Sequence, residues 1–138
     1  MQKIKTALLS YGMSGKVFHA PFVNFHSGLE LIGSWERSKK LIQQDFPEVK
    51  SYATIDELLE DTVDLVIVNT PVETHYEYAK QVLLAGKHAI VEEAYTTTVA
   101  QAQKSAAIAK EKGVKLADIQ NRRWDSELQT VQKIISHG

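Results

Sequence analysis

The residues best suited to chemistry follow the first apolar segment of the chain, residues 4–9. They form the run Ser10-Tyr11-Gly12-Met13-Ser14-Gly15. This run fits the Gly-rich turn G-x-G-x-x-G, which binds a pyrophosphate at a helix N-terminus, with Ser10 in the first glycine position. At Gly12 the backbone can approach phosphates, and at Gly15 the helix can pack closely on the strand. An ordinary Gly-rich turn between a strand and a helix is the alternative explanation.

A second group of residues stands at the end of the next apolar segment. Glu36 lies 21 residues after Gly15, where a carboxylate accepts hydrogen bonds from an adenosine ribose. A solvated loop carboxylate is the alternative. Arg37, Ser38 and Lys39 follow, and a cation with a hydroxyl suits a ribose 2′-phosphate. The expected cofactor is therefore NAD or NADP, and the sequence leaves the choice between them open.

Polar residues also follow the apolar segment 65–68. Asn69 and Thr70 are expected at the carboxyl edge of the sheet, within reach of a cofactor ribose or phosphate, and Pro71 is expected to start a helix. His75 falls in the first turn of that helix, where a structural hydrogen bond is its more common role. The histidines lack metal-ligand spacing and the chain has no cysteine, so we predict no metal site and no disulfide.

Strands and helices must alternate to position these residues. Continuous apolar runs predict buried parallel strands, and three- and four-residue apolar spacing predicts helices. The predicted strands are residues 4–9, 29–35, 49–52, 65–68, 88–91 and 114–119. The predicted helices are residues 17–23, 38–46, 73–85, 98–113 and 128–135, with capping boxes at Thr54 and Thr98 and with Gly86 and Gly113 as helix ends.

This alternation predicts a three-layer α/β fold, a Rossmann-type doubly wound and mainly parallel sheet with strand order 3-2-1-4-5-6. One domain, residues 1–138, is expected. Asp118 is unusual because an ionised carboxylate inside a sheet is costly unless it is paired or lies at an edge.

The 16 Lys and Arg against 17 Asp and Glu disfavour nucleic-acid or membrane-surface binding. No apolar run approaches the ~18 residues of a membrane span, and a cytoplasmic location is the default expectation.

Several motifs together resemble one family, the Gfo/Idh/MocA oxidoreductases. These motifs are Tyr11-Gly12-Met13-Ser14-Gly15 with Phe18-His19-Ala20-Pro21, Asn69-Thr70-Pro71 with His75, Ala85-Gly86-Lys87-His88, and Gln120-Asn121-Arg122-Arg123-Trp124-Asp125. The resemblance implies cofactor contacts from Gly12, Ser14 and Gly15 (pyrophosphate), Glu36, Arg37 and Ser38 (adenosine ribose), Asn69, Thr70, Pro71 and His75 (cleft), and Glu92 (nicotinamide ribose). The resemblance also implies that Gln120, Arg122 and Trp124 face the cofactor or a substrate domain.

The chain departs from this family in two ways. Family members usually have Glu-Lys-Pro where this chain has Glu92-Glu93-Ala94, so Glu93 reverses the charge of the family lysine, and no catalytic residue is assigned. They are also two to three times longer and include a substrate domain. We therefore expect weak dinucleotide binding and little turnover from this chain alone. The alternative is a truncated or engineered scaffold that self-associates, for example as a dimer, through the face that a second domain would cover.

A third possibility is acid–base chemistry of a different kind. Glu93, Asp118, His75 and His88 are all expected near strand carboxyl ends or helix starts. A carboxylate close to a histidine in a cleft can act as a general base. Dispersed surface charges are the favoured explanation.

Overall fold

Six parallel strands form the centre of a computed structural model that describes residues 2–120 and 125–137. Within these residues the sheet has the order β3-β2-β1-β4-β5-β6, and every pairing is parallel. The predicted fold class and strand order are confirmed. The strands are β1 Ile4–Leu8, β2 Leu29–Trp35, β3 Lys50–Tyr52, β4 Leu65–Val68, β5 His88–Glu92 and β6 Leu116–Ile119.

Helices connect the strands. A π-helical turn, Gly15–His19, continues into α1, Ala20–Phe25, and a 3-10 turn, Val72–Thr74, precedes α4, His75–Leu84. The other helices are α2 Ile42–Asp45, α3 Ile55–Glu60, α5 Val99–Lys112 and α6 Ser126–His137. Their ends follow the predicted capping, since Thr54 and Thr98 accept backbone hydrogen bonds from Glu57 and Gln101, at 3.1 and 3.2 Å.

Helices cover both faces of the sheet, and successive side chains of the central strands point to opposite faces. Ala7 and Val66 pack with α3, α4 and α5 on one face, whereas Leu8 and Ile67 pack with α1 and α2 on the other. This arrangement explains why residues 65–68 are continuously apolar. It also places the carboxyl ends of β1, β2, β4 and β5 along one edge, where the candidate polar residues follow.

The predicted helix at residues 38–46 is shorter than expected. Only Ile42–Asp45 is helical, and residues 37–40 form a loop. The cause is the carboxylate of Glu36, which accepts hydrogen bonds from the backbone N–H groups of Leu41 and Ile42 at 2.8 and 3.1 Å. A helix cannot extend back through residues whose N–H groups are already capped from outside.

The first helix is present, but part of its apolar pattern faces outward. His19, Ala20 and Val23 are buried against the sheet, whereas Phe22 is 71% and Phe25 86% exposed. In α6 the exposed apolar side chains are Leu128, Val131, Ile134 and Ile135. No helix in the described part of the chain has the length and apolar content required to cross a bilayer.

Asp118 occupies the edge strand β6 and is exposed. The side chain of Gln120 donates to its Oδ2 at 3.3 Å. The edge position explains how a carboxylate is accommodated in this sheet, because water reaches the side chain there.

The packing of α4 against the sheet can be tested at Leu83, with the neighbouring Leu84 as the control. Leu83 is fully buried between α4 and the sheet, whereas Leu84 is 47% exposed. We expect Leu83→Ala to lower the free energy of unfolding by about 2–5 kcal/mol, and Leu84→Ala to change it by less than about 0.5 kcal/mol. Urea unfolding of both variants measures this. Equal losses would contradict the packing described here.

Candidate functional site

The turn after β1 depends on a backbone contact that only glycine allows. A Cβ atom at Gly15 would lie 2.4 Å from the carbonyl oxygen of Ser10 and 3.0 Å from Nδ2 of Asn69. Gly12 differs, because its nearest neighbour would be Oγ of Ser10 at 3.6 Å and the residue is exposed. Gly15 therefore brings the helix onto the strand, while Gly12 leaves the outer side of the turn open to a ligand.

Asn69 fastens this turn to the end of β4. Its Nδ2 donates to the carbonyl oxygen of Ser10 at 2.9 Å and lies 3.4 Å from Oγ of Ser14. Its Oδ1 is buried and has no hydrogen-bond partner among the described residues. A buried acceptor without a partner costs about 1–3 kcal/mol, so the group suits a ligand that brings a hydroxyl or amide donor.

A cavity of about 300 Å³ lies at the carboxyl ends of β1 and β2, beside the turn. We call it the β2-end pocket. It brings together many of the predicted residues from separate parts of the chain, as a crevice at the carboxyl edge of a doubly wound sheet does. Its lining includes Ser10, Gly12, Glu36, Arg37, Ser38, Thr70 and Pro71, together with Leu9, Tyr11, Trp35, Lys39, Leu41, Thr74 and Tyr78.

A second, open cavity of about 880 Å³ lies at the end of β5. Its lining is acidic and aromatic, and it consists of Ser14, Phe18, Phe22, Glu92, Glu93, Ala94 and Asp125. Glu93 is exposed there and the peptide bond between Glu93 and Ala94 is cis. The two cavities flank the Gly-rich turn, as the two ends of an extended ligand require.

A His–carboxylate pair lies at the wall of this second cavity, where His19 is buried and Glu92 is half-buried. Nε2 of His19 forms a short hydrogen bond with Oε1 of Glu92. Burial by itself raises the pKa of Glu92, but hydrogen bonds from His19 and Ser14 and the nearby charges of His19 and His75 lower it below its ordinary value. The pair links the π-helical turn before α1 to the end of β5. Sequence reasoning assigned no role to His19, although its position one turn after Gly15 on the inward face was available as a signal.

His75 is a structural residue in this fold. It is 1% exposed, and its ring nitrogens lie 2.8 Å from the carbonyl oxygen of Ala94 and 2.7 Å from that of Thr70. Because carbonyl oxygens only accept, each contact is a hydrogen bond when the facing nitrogen carries hydrogen. The ring therefore ties the end of β4 to the loop after β5, and it lines neither cavity.

The remaining predicted residues are more scattered. Met13 is 76% exposed, and Gln120 is exposed on the chain after β6. Arg122 and Trp124 lie outside the described residues. The alternative acid–base cluster of Glu93, Asp118, His75 and His88 is not assembled, because no hydrogen bond or ion pair within the described ranges joins any two of them. His88 in fact lies at the amino end of β5, where Nδ1 accepts from the backbone of Lys115.

The sheet order and the Gly-rich turn define a dinucleotide-binding Rossmann domain. Residues 4–118 match a family model described as "Oxidoreductase family, NAD-binding Rossmann fold". The chain therefore belongs to the Gfo/Idh/MocA oxidoreductase family, as its motifs indicated.

The relatives described next match this chain over nearly its whole length. An uncharacterized oxidoreductase of Schizosaccharomyces pombe is 38% identical over 100% of this chain and 39% of its own length. The scyllo-inositol 2-dehydrogenase (NADP(+)) IolW of Bacillus subtilis is 35% identical over 98% of this chain and 38% of its own length. A crystal structure of a putative oxidoreductase from Bacteroides fragilis superposes with a TM-score of 0.88 at 45% identity, covering 99% of this chain and 43% of that one.

A crystal structure of GenD2 from gentamicin A biosynthesis in complex with NAD superposes with a TM-score of 0.87 at 28% identity. It covers 97% of this chain and 39% of that one. The chain thus spans 38–39% of the length of the two curated relatives described above. The domain is NAD(P)-binding by family, and the residues present fit such a cofactor, given the open Gly12 and the unpartnered oxygen of Asn69.

The two glycines of the turn provide a matched pair of variants. Gly15→Ala is expected to lower the melting temperature by several degrees, because its Cβ would meet backbone at 2.4 Å. Gly12→Ala leaves the melting temperature nearly unchanged, since its Cβ would make only an ordinary van der Waals contact with Oγ of Ser10 at 3.6 Å, but it weakens dinucleotide binding. Thermal melts and fluorescence titrations measure both effects. A stable Gly15→Ala variant would show that the turn is not closely packed.

The lowered pKa of Glu92 predicts a dependence of stability on pH. The folded protein favours the charged carboxylate, so its contribution is present above the ordinary pKa of 4.5 and is lost as the pH falls through the folded value. We expect Glu92→Gln to lower the free energy of unfolding by about 1 kcal/mol at neutral pH, with a smaller difference below about pH 4. Urea unfolding across this range measures it, with exposed Glu93→Gln as control. A difference independent of pH would contradict the assignment.

Proposed function

We propose that this chain forms the cofactor-binding part of an oxidoreductase that transfers a hydride between a nicotinamide dinucleotide and a sugar or polyol-type carbon. The single observation that supports this most is the turn at Gly15, packed on the Ser10 carbonyl and flanked by two cavities at the carboxyl edge of the sheet. The substrate class is suggested by the name of the relative IolW. When bound, the cofactor supplies the hydride chemistry, and the protein binds and orients it.

The proposed cofactor contacts divide between the two cavities and the turn that separates them. The helix N-terminus and the open side of Gly12 suit a pyrophosphate. The β2-end pocket takes the adenosine, and the cavity at β5 takes the nicotinamide. The proposed contact residues are Ser10, Gly12, Met13, Ser14 and Gly15 for the pyrophosphate, Glu36, Arg37, Ser38, Thr70 and Pro71 for the adenosine end, and Asn69, Glu92 and Gln120 for the nicotinamide end, with His75 supporting the cleft.

The chain alone is proposed to bind dinucleotide weakly and to turn over little or no substrate. Glu93 supports this, because a carboxylate on the open cavity would repel substrate oxygens that a lysine attracts. The cytoplasmic location expected from the sequence stays a prediction.

A second candidate function is a non-catalytic, self-associating module. The observation that favours it is the exposure of apolar side chains on α1 (Phe22 and Phe25) and on α6 (Ile134 and Ile135). Large exposed apolar patches favour association, and the proposed occupant is a second copy of this chain.

One experiment separates the two functions. NADH and NADPH are titrated while fluorescence is followed, and light scattering is recorded in parallel on the same samples. Saturable binding at micromolar concentrations, with turnover below ~1 per second on a panel of polyols, is expected for the cofactor-binding domain. The absence of binding together with a clean dimer would overturn it in favour of the self-associating module.

A further inference from the structure

His75 is a buried titratable side chain with a carbonyl oxygen at each of its ring nitrogens. The residue is 1% exposed. Nδ1 lies 2.8 Å from the carbonyl oxygen of Ala94, and Nε2 lies 2.7 Å from that of Thr70. Both distances are in the hydrogen-bond range, and a carbonyl oxygen can only accept. The number of protons on the ring therefore decides how many of these two contacts are hydrogen bonds.

A neutral imidazole satisfies only one of the two contacts. It carries hydrogen on one nitrogen and a lone pair on the other, so one carbonyl oxygen would face a lone pair at 2.7 or 2.8 Å. The imidazolium form carries hydrogen on both nitrogens and donates to both carbonyl oxygens. Hydrogen bonds from a charged donor are also stronger than neutral ones. The geometry at both nitrogens thus favours the cation.

A buried cation requires an opposite charge nearby, and Glu92 supplies it. Removing a charge from water is costly unless the charge is paired and hydrogen-bonded. Glu92 is the last residue of β5, is half-buried, and is close enough to His75 for the two charges to interact. The same carboxylate is hydrogen-bonded to His19. One carboxylate therefore interacts with two histidines.

The other elements that pack against α4 keep their charged residues away from the ring. These elements are the 3-10 turn, β4, β5 and α5. Strand β4 has no charged residue, and His88 lies at the far, amino end of β5. The charged residues of the 3-10 turn and of α5 are all exposed, and they are Glu73, Lys104, Lys110, Glu111 and Lys112. Glu92 is thus the counter-charge that these elements offer to a cation at His75.

We propose that His75 is held as an imidazolium, paired with the carboxylate of Glu92, and that it is a positioning residue for the inner wall of the cavity at β5. Its ring donates to Ala94, which lines this cavity beside Glu93, and to Thr70 at the end of β4. The charge fixes the loop after β5 in place. The consequence for ligands rests on the proposed function, which assigns this cavity to the nicotinamide end.

Nitrogen-15 NMR of the unaltered chain tests the charge without any ligand. At about pH 7.5 an ordinary histidine is mostly neutral and has one unprotonated ring nitrogen. We expect two protonated ring nitrogens at His75. His26 and His88 are internal controls, because Nδ1 of each accepts a backbone N–H, from Gly28 and Lys115, and so carries no hydrogen. An unprotonated ring nitrogen at His75 in the same spectrum would overturn the inference.

Two matched variants test the partner of this charge. Glu92→Gln and Glu93→Gln each remove one carboxylate from the lining of the same cavity, but the charge interaction with His75 is that of Glu92. We expect Glu92→Gln to lower the proton affinity of the His75 ring about tenfold in an NMR titration. We expect Glu93→Gln to leave it unchanged, since Glu93 is exposed. An equal response to both variants contradicts the pairing with Glu92.

His75→Gln tests the positioning role through the size of the ligand. NADH extends over both cavities in the proposed function, whereas 5′-AMP occupies the β2-end pocket alone. We expect the variant to bind NADH about fivefold more weakly and to bind 5′-AMP as before. A thermal melt establishes that the variant is folded. An equal loss for both nucleotides, or no loss for NADH, overturns the positioning role.

The unaltered chain allows the same comparison if His75→Gln does not fold. As the pH rises past the point at which NMR shows the ring losing its second proton, the affinity for NADH is expected to fall while that for 5′-AMP holds. An affinity for NADH that does not respond to this proton overturns the positioning role.

The outcomes separate this inference from the proposed function. Dinucleotide binding by a chain whose His75 is neutral overturns the inference alone. A failure to bind either nucleotide overturns the proposed function and the positioning role with it, whereas the NMR spectrum still decides the charge of His75.

Discussion

The close approach of the first helix to the first strand is the constraint on which the rest of the site depends. The backbone of Gly15 lies so near the Ser10 carbonyl that no side chain fits between them. Because the helix begins directly at this contact, its N-terminus lies beside the carboxyl end of β1. Asn69 adds a side-chain bond from β4 to the same carbonyl, so two neighbouring strands determine the shape of one turn.

The two sides of this turn differ in charge for reasons that lie in the packing. On the β2 side the carboxylate of Glu36 caps the start of α2, and the exposed charged residues that line the pocket are Arg37 and Lys39. On the β5 side the half-buried Glu92 is hydrogen-bonded to His19, and Glu92, Glu93 and Asp125 line an open cavity. A ligand that extends over both cavities therefore meets a cationic end and an acidic end.

Membership of the Gfo/Idh/MocA family places these features in context. The solved relatives share the fold over nearly all of this chain, which spans 38–39% of the length of the two curated relatives compared with it. Glu93 and Ala94 stand where the family usually has lysine and proline, and both residues lie on the β5 cavity. The charge reversal relative to the family thus lies at the proposed nicotinamide end, while the turn keeps Gly12 and Gly15 and has Ser10 in the first glycine position.

The sequence alone determined the strands, the parallel sheet order and the Gly-rich turn, because those depend on local apolar runs, caps and glycines that act within a few residues. It also located Glu36, Asn69 and Thr70 at strand ends. Only the tertiary structure decided which groups those side chains contact. Three contacts are of this kind. Glu36 caps α2 across a loop, the ring of His75 is buried against the carbonyl oxygen of Thr70, and His19 pairs with Glu92 from a distant part of the chain. Such contacts depend on the three-dimensional path of the backbone, which no local pattern of residues encodes.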